Sequence, residues 1–374
     1  MHIPFGKPYL IGKEIEFISE AVSSGQLSGN GVYTKKCHTL FKQLLHCNLP
    51  LLTSSCTDAL EMCALLLNIQ PGDEVIMPSY TFVSTANAFV LQGAKIVFCD
   101  SRPDHPGMDE SALEALITPR TRVIVPVHYA GVACDMDVIM DIANRHCLYV
   151  VEDAAQAIDS SYKGKPLGSI GHLSAFSFHE TKNIICGEGG LLAVNDARFA
   201  ARAEIIWAKG TNRSAYLREE VSKYSWVGVG SSFWASELSA AFLWAQLEHI
   251  EYIQRRRREI WKRYSTGLSV LSDRVQLPFI PEYASNNAHM FYFVCRDGAE
   301  RDNLMSCLKS KEINAAFHYQ SLHASPYYHD KHDGRDLLQS DRYSECLVRL
   351  PFYFSLTDGD QQRVVEAILE YYSI

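Results

Sequence analysis

An α/β architecture with a mostly parallel sheet is what this sequence predicts, and two observations carry the prediction. Between about residues 50 and 195, short β-branched runs alternate with helical patterns, the order that puts helices on the faces of a parallel sheet. Several of those runs are apolar at nearly every position, as strands covered on both faces must be.

The strands expected are DEVIMP (73–78), AKIVFCD (94–100), RVIVPVHY (122–129), LYVVED (148–153), LSAFSF (173–178) and LLAVN (191–195). Helices fall between them at 58–68, 84–92 and 135–146. The third opens with Asp135 and Asp137, suited to the positive end of a helix dipole. Ser236 has the chemistry of an N-cap for a long helix to about 264, with Leu238, Phe242, Ala245 and Ile253 among its apolar positions. The basic run Arg255–Arg258 lies inside that helix and reads as a solvated face. Beyond it a C-terminal α+β domain is expected, with strands at 289–296 and near 314–319 and helices near 301–311 and 359–372. The division is a large domain over 1–250, including the N-terminal segment, and a small one over 251–374.

A net charge of −8 argues against nucleic acid or an anionic membrane as the main partner. The 11 cysteines are dispersed and none forms C-x-x-C, so reduced core cysteines, no metal centre and a cytoplasmic location are expected. The opening MHIPFGKPYL lacks a basic-then-apolar leader pattern, and no apolar run approaches membrane-spanning length.

Asp153 ends the run LYVVED, so it is either a cap for the next helix or a carboxylate at the carboxyl edge of the sheet, where α/β ligands sit. Lys182, in AFSFHETKNIICGEGG (175–190), is either a surface lysine with its head in water or a desolvated, nucleophilic amine able to condense with a carbonyl. SSCTDAL (54–60) offers Ser55 and Thr57 at a helix start, an N-cap or a phosphate cradle. In PSYTFVSTANA (78–88), Tyr80 and Phe82 follow a strand end, as core packing or as a platform for a flat ring. Each has a plain structural reading alone. In this order they form the inventory that pyridoxal 5'-phosphate (PLP) requires: phosphate cradle, stacking ring, carboxylate for the pyridine nitrogen, and lysine for the aldehyde. No G-x-G-x-x-G or G-x-x-x-x-G-K-[ST] follows a strand, which disfavours a nucleotide-binding doubly wound protein.

The segments SSCTDAL, GDEVIMPSYTFVSTANA, IVPVHYAG, VVEDAAQA, FSFHETKN with GEGG, and AHMFY resemble the DegT/DnrJ/EryC1/StrS family of sugar-nucleotide aminotransferases. The resemblance implies the PLP-dependent fold type I of aspartate aminotransferase, with a mostly parallel seven-stranded sheet in the large domain. It implies that Lys182 carries the cofactor, that Asp153 pairs with the pyridine nitrogen and Gln156 with the phenolic oxygen, and that Phe82 stacks on the ring. Thr57, the Asp58 N–H and Ser177 would hold the phosphate, and His179 and Glu180 would line the sugar pocket. His318 and His323, in FHYQSLH, are structural or reach the site from the small domain; His318 is the candidate for substrate contact.

Many members carry G-Y-N-Y-R where this chain has GSSFW (230–234). The asparagine that would reach the phosphate from a partner subunit is therefore Ser232, and the arginine is Trp234. The implied partners are L-glutamate as amino donor, a nucleotide-linked keto-deoxysugar and a second copy of the chain. VPVHYAGVACDMD, HETKN and GTNRS are most similar to the branch that makes dTDP-4-amino-4,6-dideoxygalactose from dTDP-4-keto-6-deoxyglucose, a deoxyamino sugar for lipopolysaccharide O antigen or enterobacterial common antigen. Amination at C3, the opposite stereochemistry at C4, and a non-catalytic sensor on the same fold remain open at this point.

Overall fold

The computed structural model describes residues 2–374. Seven strands, β1 (Leu49–Thr53), β2 (Glu74–Pro78), β3 (Lys95–Cys99), β4 (Thr121–Ile124), β5 (Tyr149–Asp153), β6 (Leu173–Ser177) and β7 (Gly190–Val194), form one sheet in the order β1-β7-β6-β5-β4-β2-β3. The run from β3 to β6 is parallel, and β7 is antiparallel to both β6 and β1. The mostly parallel sheet is as expected. β1 was not foreseen: Pro50 interrupts it, and proline has no N–H for a ladder. At the sheet edge that loss is tolerated.

β4 stops well short of the expected residue 129. Pro126 cannot donate, and Tyr129–Gly131 form a tight turn with Ala130 at φ 55°. Beyond the break Val127 still bridges Asp153, with the His128 N–H donating to the Asp153 carbonyl at 3.2 Å, and Tyr129 is the residue that leaves the ladder.

Helices α1 (Glu14–Ser23), α2 (Val32–Leu45), α3 (Cys56–Leu66), α4 (Val83–Val90), α5 (Met136–Arg145), α6 (Ala200–Trp207), α7 (Glu237–Leu247) and α8 (Ile250–Gly267) surround the sheet. Successive strand residues point to opposite faces, so Val150 joins one apolar core and Val151 the other. Residues of α2, α5 and α7 pack in the first core; those of α3, α4 and α6 pack in the second. Covering both faces explains why the strand runs are almost uniformly apolar.

Ser236 does cap a helix, accepting the N–H of Ser239 at 3.1 Å. The single long helix expected is two, α7 and α8, because His249 leaves helical geometry at φ −119°, ψ 18°. The basic run in α8 is not one solvated face. Residues 100° apart around a helix cannot share a side, and Arg257 turns inward, donating to the carbonyls of Ala288 (3.1 Å) and His289 (2.6 Å). Arg258 pairs with Asp159 at the surface.

A third core gathers Ile260, Phe291, Phe293, Leu304, Val348 and Ile368, together with Ile3 from the N-terminal segment. It is framed by α8, α9 (Gly298–Ser310), α10 (Asp358–Tyr371) and the antiparallel pair β8 (Tyr292–Val294) and β9 (Leu347–Arg349). No strand forms at 314–319; Ile313 and Ala316 make only single bridges, to Ile3 and Arg349. His318 and Tyr319 instead turn toward the large sheet. All eleven cysteines are free thiols. Among the described residues no helix is long and apolar enough to cross a membrane.

Candidate active site

The carboxyl ends of β2, β5 and β6 open into a cavity of about 1510 Å³ that also takes in the N-terminus of α3. Its floor begins at α3. Ser55 caps the helix and accepts the Asp58 N–H at 3.0 Å, while Thr57 donates to Ser84 Oγ at 2.8 Å. The other first-turn N–H groups have no acceptor within the helix. Beside them runs Gly190 of β7: a Cβ there would lie 2.3 Å from the Ser55 carbonyl carbon and oxygen. Only glycine lets that strand pass so close to the helix start. This is what the glycines of GEGG achieve, together with a left-handed turn at Gly187 (φ 82°).

Thr57 and Ser177 line the cavity here. Ser177 Oγ accepts the His179 N–H at 3.3 Å. The Asp58 N–H, expected to face a phosphate, is engaged by Ser55, and Asp58's carboxylate accepts from Ser54.

Asp153 stands at the end of β5, buried and lining the cavity. It accepts the Thr85 hydroxyl at 2.7 Å and the Ala155 N–H at 3.1 Å, leaving lone pairs for a ligand. Three residues later, in a turn where no helix forms, Gln156 accepts the Ala130 N–H at 2.6 Å and donates to the Tyr319 hydroxyl at 2.9 Å. Its second amide hydrogen remains for another acceptor. Lys182 lines the same cavity. Burial lowers its pKa below the ordinary 10.5, and the nearby Cys56 and Asp153 only partly offset this. A neutral amine is a nucleophile and a base, as an ammonium is not.

The loop that carries Lys182 is fixed from behind. Asn183 is buried and donates to Gln254 Oε1 and the Asn287 carbonyl, each at 2.9 Å, while its carbonyl oxygen meets His289 Nδ1 at 2.8 Å. Arg257 anchors the same segment through the carbonyls of Ala288 and His289. Neither residue was identified from the sequence; nor were Thr85 and Tyr319. A buried network gives no local motif, and only the adjacency of Asn183 to Lys182 could have pointed to it.

Phe82, 54% exposed, lines the cavity, 6.1 Å from the Tyr319 ring. Tyr80 takes its core reading, sealed in an aromatic cluster with Tyr129 and Tyr343. His179 and Glu180 lie at the cavity wall near solvent, His179 bonded to Thr181 Oγ1 at 2.9 Å. His318 also lines the cavity, stacked on Tyr319 at 3.6 Å and bonded to the Tyr129 hydroxyl at 2.7 Å. His323 instead bonds Ser79 Oγ at 2.8 Å. Ser232 lies apart from the cavity, bridging the backbone of Ala208 on an exposed loop.

These groups fit PLP. A helix N-terminus with hydroxyls suits a phosphate, a buried carboxylate suits a protonated ring nitrogen, and a desolvated lysine suits an aldehyde.

Comparison with known proteins agrees. The model of the DegT/DnrJ/EryC1/StrS aminotransferase family matches residues 8–369. The spore coat polysaccharide biosynthesis protein SpsC of Bacillus subtilis is 33% identical over 376 residues, covering 98% of this chain and 96% of that protein. DesV of S. venezuelae, solved with a ketimine intermediate, superposes with a TM-score of 0.92 at 30% identity, over 100% of this chain and 99% of that one. NtdA of Bacillus subtilis, solved with bound cofactor PMP, does so with a TM-score of 0.87 at 28% identity, over 98% of this chain and 83% of that one.

Proposed function

The chain belongs to the DegT/DnrJ/EryC1/StrS aminotransferase family, and on that premise we propose that it moves an amino group from L-glutamate to C4 of dTDP-4-keto-6-deoxy-D-glucose. The products are dTDP-4-amino-4,6-dideoxy-D-galactose and 2-oxoglutarate. The observation that carries the reading is the convergence of Lys182, Asp153, Gln156 and the α3 N-terminus on one cavity.

When bound, PLP supplies the electron sink that lets a proton leave the carbon bearing the nitrogen. The chain's own residues do the rest. Lys182 takes the proton from the α-carbon of the donor in the first half-reaction and delivers one to C4 of the sugar in the second. The face of C4 turned to Lys182 fixes the configuration of the amine. Asp153, held by Thr85, keeps the ring nitrogen charged, and Gln156 donates to the phenolic oxygen. Thr57, Ser177 and the first turn of α3 around Asp58 hold the phosphate, while Phe82 covers the ring. His179, Glu180 and His318 line the sugar's approach.

The same reading makes the enzyme a homodimer and brings Ser232 to the phosphate from the partner subunit. In support, Trp226 is 81% and Val229 72% exposed on the loop that leads to Ser232; apolar surface of that kind favours a protein partner. The large and small domains divide at 250/251, beside the break between α7 and α8. We place the enzyme in deoxyamino sugar biosynthesis for a surface glycan.

The test is to incubate the protein with PLP, L-glutamate and dTDP-4-keto-6-deoxyglucose and to identify the product by NMR. An axial amine at C4, with 2-oxoglutarate in equal amount, is expected. An equatorial amine, an amine at C3 or no amino sugar would overturn the substrate assignment.

A further inference from the structure

Gln156 and Tyr319 meet from positions 163 residues apart, and both line the cavity. The side-chain amide of Gln156 has two orientations of nearly equal shape and opposite polarity. The Ala130 N–H, at 2.6 Å, selects one of them, because a backbone N–H only donates and must face Oε1. That bond alone leaves the amide free to swing about it, and a glutamine keeps rotamer freedom unless something else holds it. The Tyr319 hydroxyl holds it by accepting one Nε2 hydrogen at 2.9 Å. The direction of the second hydrogen is then set, since both lie in the plane of the amide.

The acceptor is itself rigid. The Tyr319 ring stacks on His318 at 3.6 Å, meets Tyr80 and Tyr129 edge-on at 5.7 and 6.2 Å, and lies 6.1 Å from Phe82. His318 is held in turn by the Tyr129 hydroxyl at 2.7 Å, and the Tyr80 hydroxyl donates to its carbonyl at 3.3 Å. Stacked and edge-on contacts on several sides leave the Tyr319 ring one position. Packing alone does not call for its hydroxyl, because phenylalanine would fill the same space with no polar group to satisfy.

We propose that Tyr319 is a positioning residue that acts through Gln156 on the phenolic oxygen of PLP, an inference that rests on the cofactor reading. Held by Ala130 at its oxygen and by Tyr319 at its nitrogen, the Gln156 amide turns its remaining N–H to the cavity. Donation to the phenolic oxygen favours the deprotonated form of the cofactor bonded to Lys182, and so lowers the pH at which its colour changes. Cys56, Asp153, Lys182, His289, His318 and Arg349 share the cavity, but none of them bonds the Gln156 amide, whose partners are Ala130 and Tyr319.

The test is a pH titration of the visible band of the PLP-loaded protein with no substrate present. Tyr319→Phe keeps the ring and should move the midpoint upward by roughly half a unit to one unit, which is about three- to tenfold in proton affinity. Gln156→Ala should move it upward by at least as much. Adding Tyr319→Phe to Gln156→Ala should move it no further, because the two residues act as one unit. Melting temperature establishes that each variant is folded. An unmoved midpoint in Tyr319→Phe would overturn the proposal, as would additive shifts in the double variant. A wild-type protein that shows no visible band on loading would overturn the cofactor reading, and the positioning role with it. No sugar enters this experiment, so the substrate assignment stands or falls separately.

Discussion

Glu152 and Asp153 are adjacent carboxylates on β5, both buried, and they differ in how completely the fold satisfies them. Glu152 accepts from His128 Nε2 (2.9 Å) and from the N–H groups of Gly168 (2.7 Å), Ile170 (2.7 Å) and Gly171 (2.6 Å). Four donors saturate it, and it ties three segments together. Asp153, on the opposite side of the strand, has two protein donors and faces the cavity. A carboxylate with every lone pair used is structural, whereas one with capacity in reserve is available to a ligand. The sequence VVED shows both acids and ranks neither.

Exchanging each acid for its amide should separate the two sides most sharply. Asp153→Asn should bind cofactor and melt near wild type, yet lose roughly three orders of magnitude in turnover, because the ring nitrogen loses its charged partner. Glu152→Gln should destabilise the chain by about 3 kcal/mol in urea unfolding, since an NH₂ group must then face a backbone N–H. Its folded fraction should turn over near normally. A stable, inactive Glu152→Gln would break the comparison.

Gly190→Ala should act on the cavity side alone. The new Cβ forces Ser55 and the start of α3 aside, and cofactor affinity should fall about tenfold or more, by spectroscopic titration. Thr85→Val is milder: without its hydroxyl, Asp153 keeps only one donor, and turnover should fall about tenfold with Thr85→Ser near wild type. Equal rates for Thr85→Val and wild type would remove Thr85 from the site.

At neutral pH the weakest effect belongs to the structural side, where a contribution is lost only on acidification. His38 accepts the Leu52 N–H at 2.9 Å, and burial pushes its pKa down to about 4. The unfolded chain protonates His38 near pH 6.5 while the folded chain does not, so stability drops as pH falls from about 6.5 toward 4, by roughly 3 kcal/mol at most. His38→Gln should flatten that slope in pH-dependent unfolding and leave turnover at neutral pH unchanged.

What the sequence made legible follows the same division. The sheet could be read from its apolar runs because both faces are covered, and Lys182 and Asp153 could be placed because strand ends and a family motif mark them. The edge strand β1 was hidden by Pro50. The break at His249 was hidden because the apolar pattern continues across it. Arg257 was misread because a run of four basic residues looks uniform in one dimension and is not uniform around a helix. Thr85, Asn183 and Tyr319 make contacts between segments far apart in the chain, for which no local pattern exists. Ser55 shows the converse: read as a cap or a cradle, it is observed as the cap, at the site where the cradle would be.

Lys182 is the residue proposed to hold the cofactor. Borohydride reduction of the protein loaded with PLP, followed by peptide mass spectrometry, tests it directly. A pyridoxyl phosphate label on Lys182, absent when L-glutamate is added before reduction, is the result expected; a label on another lysine, or none, would contradict it.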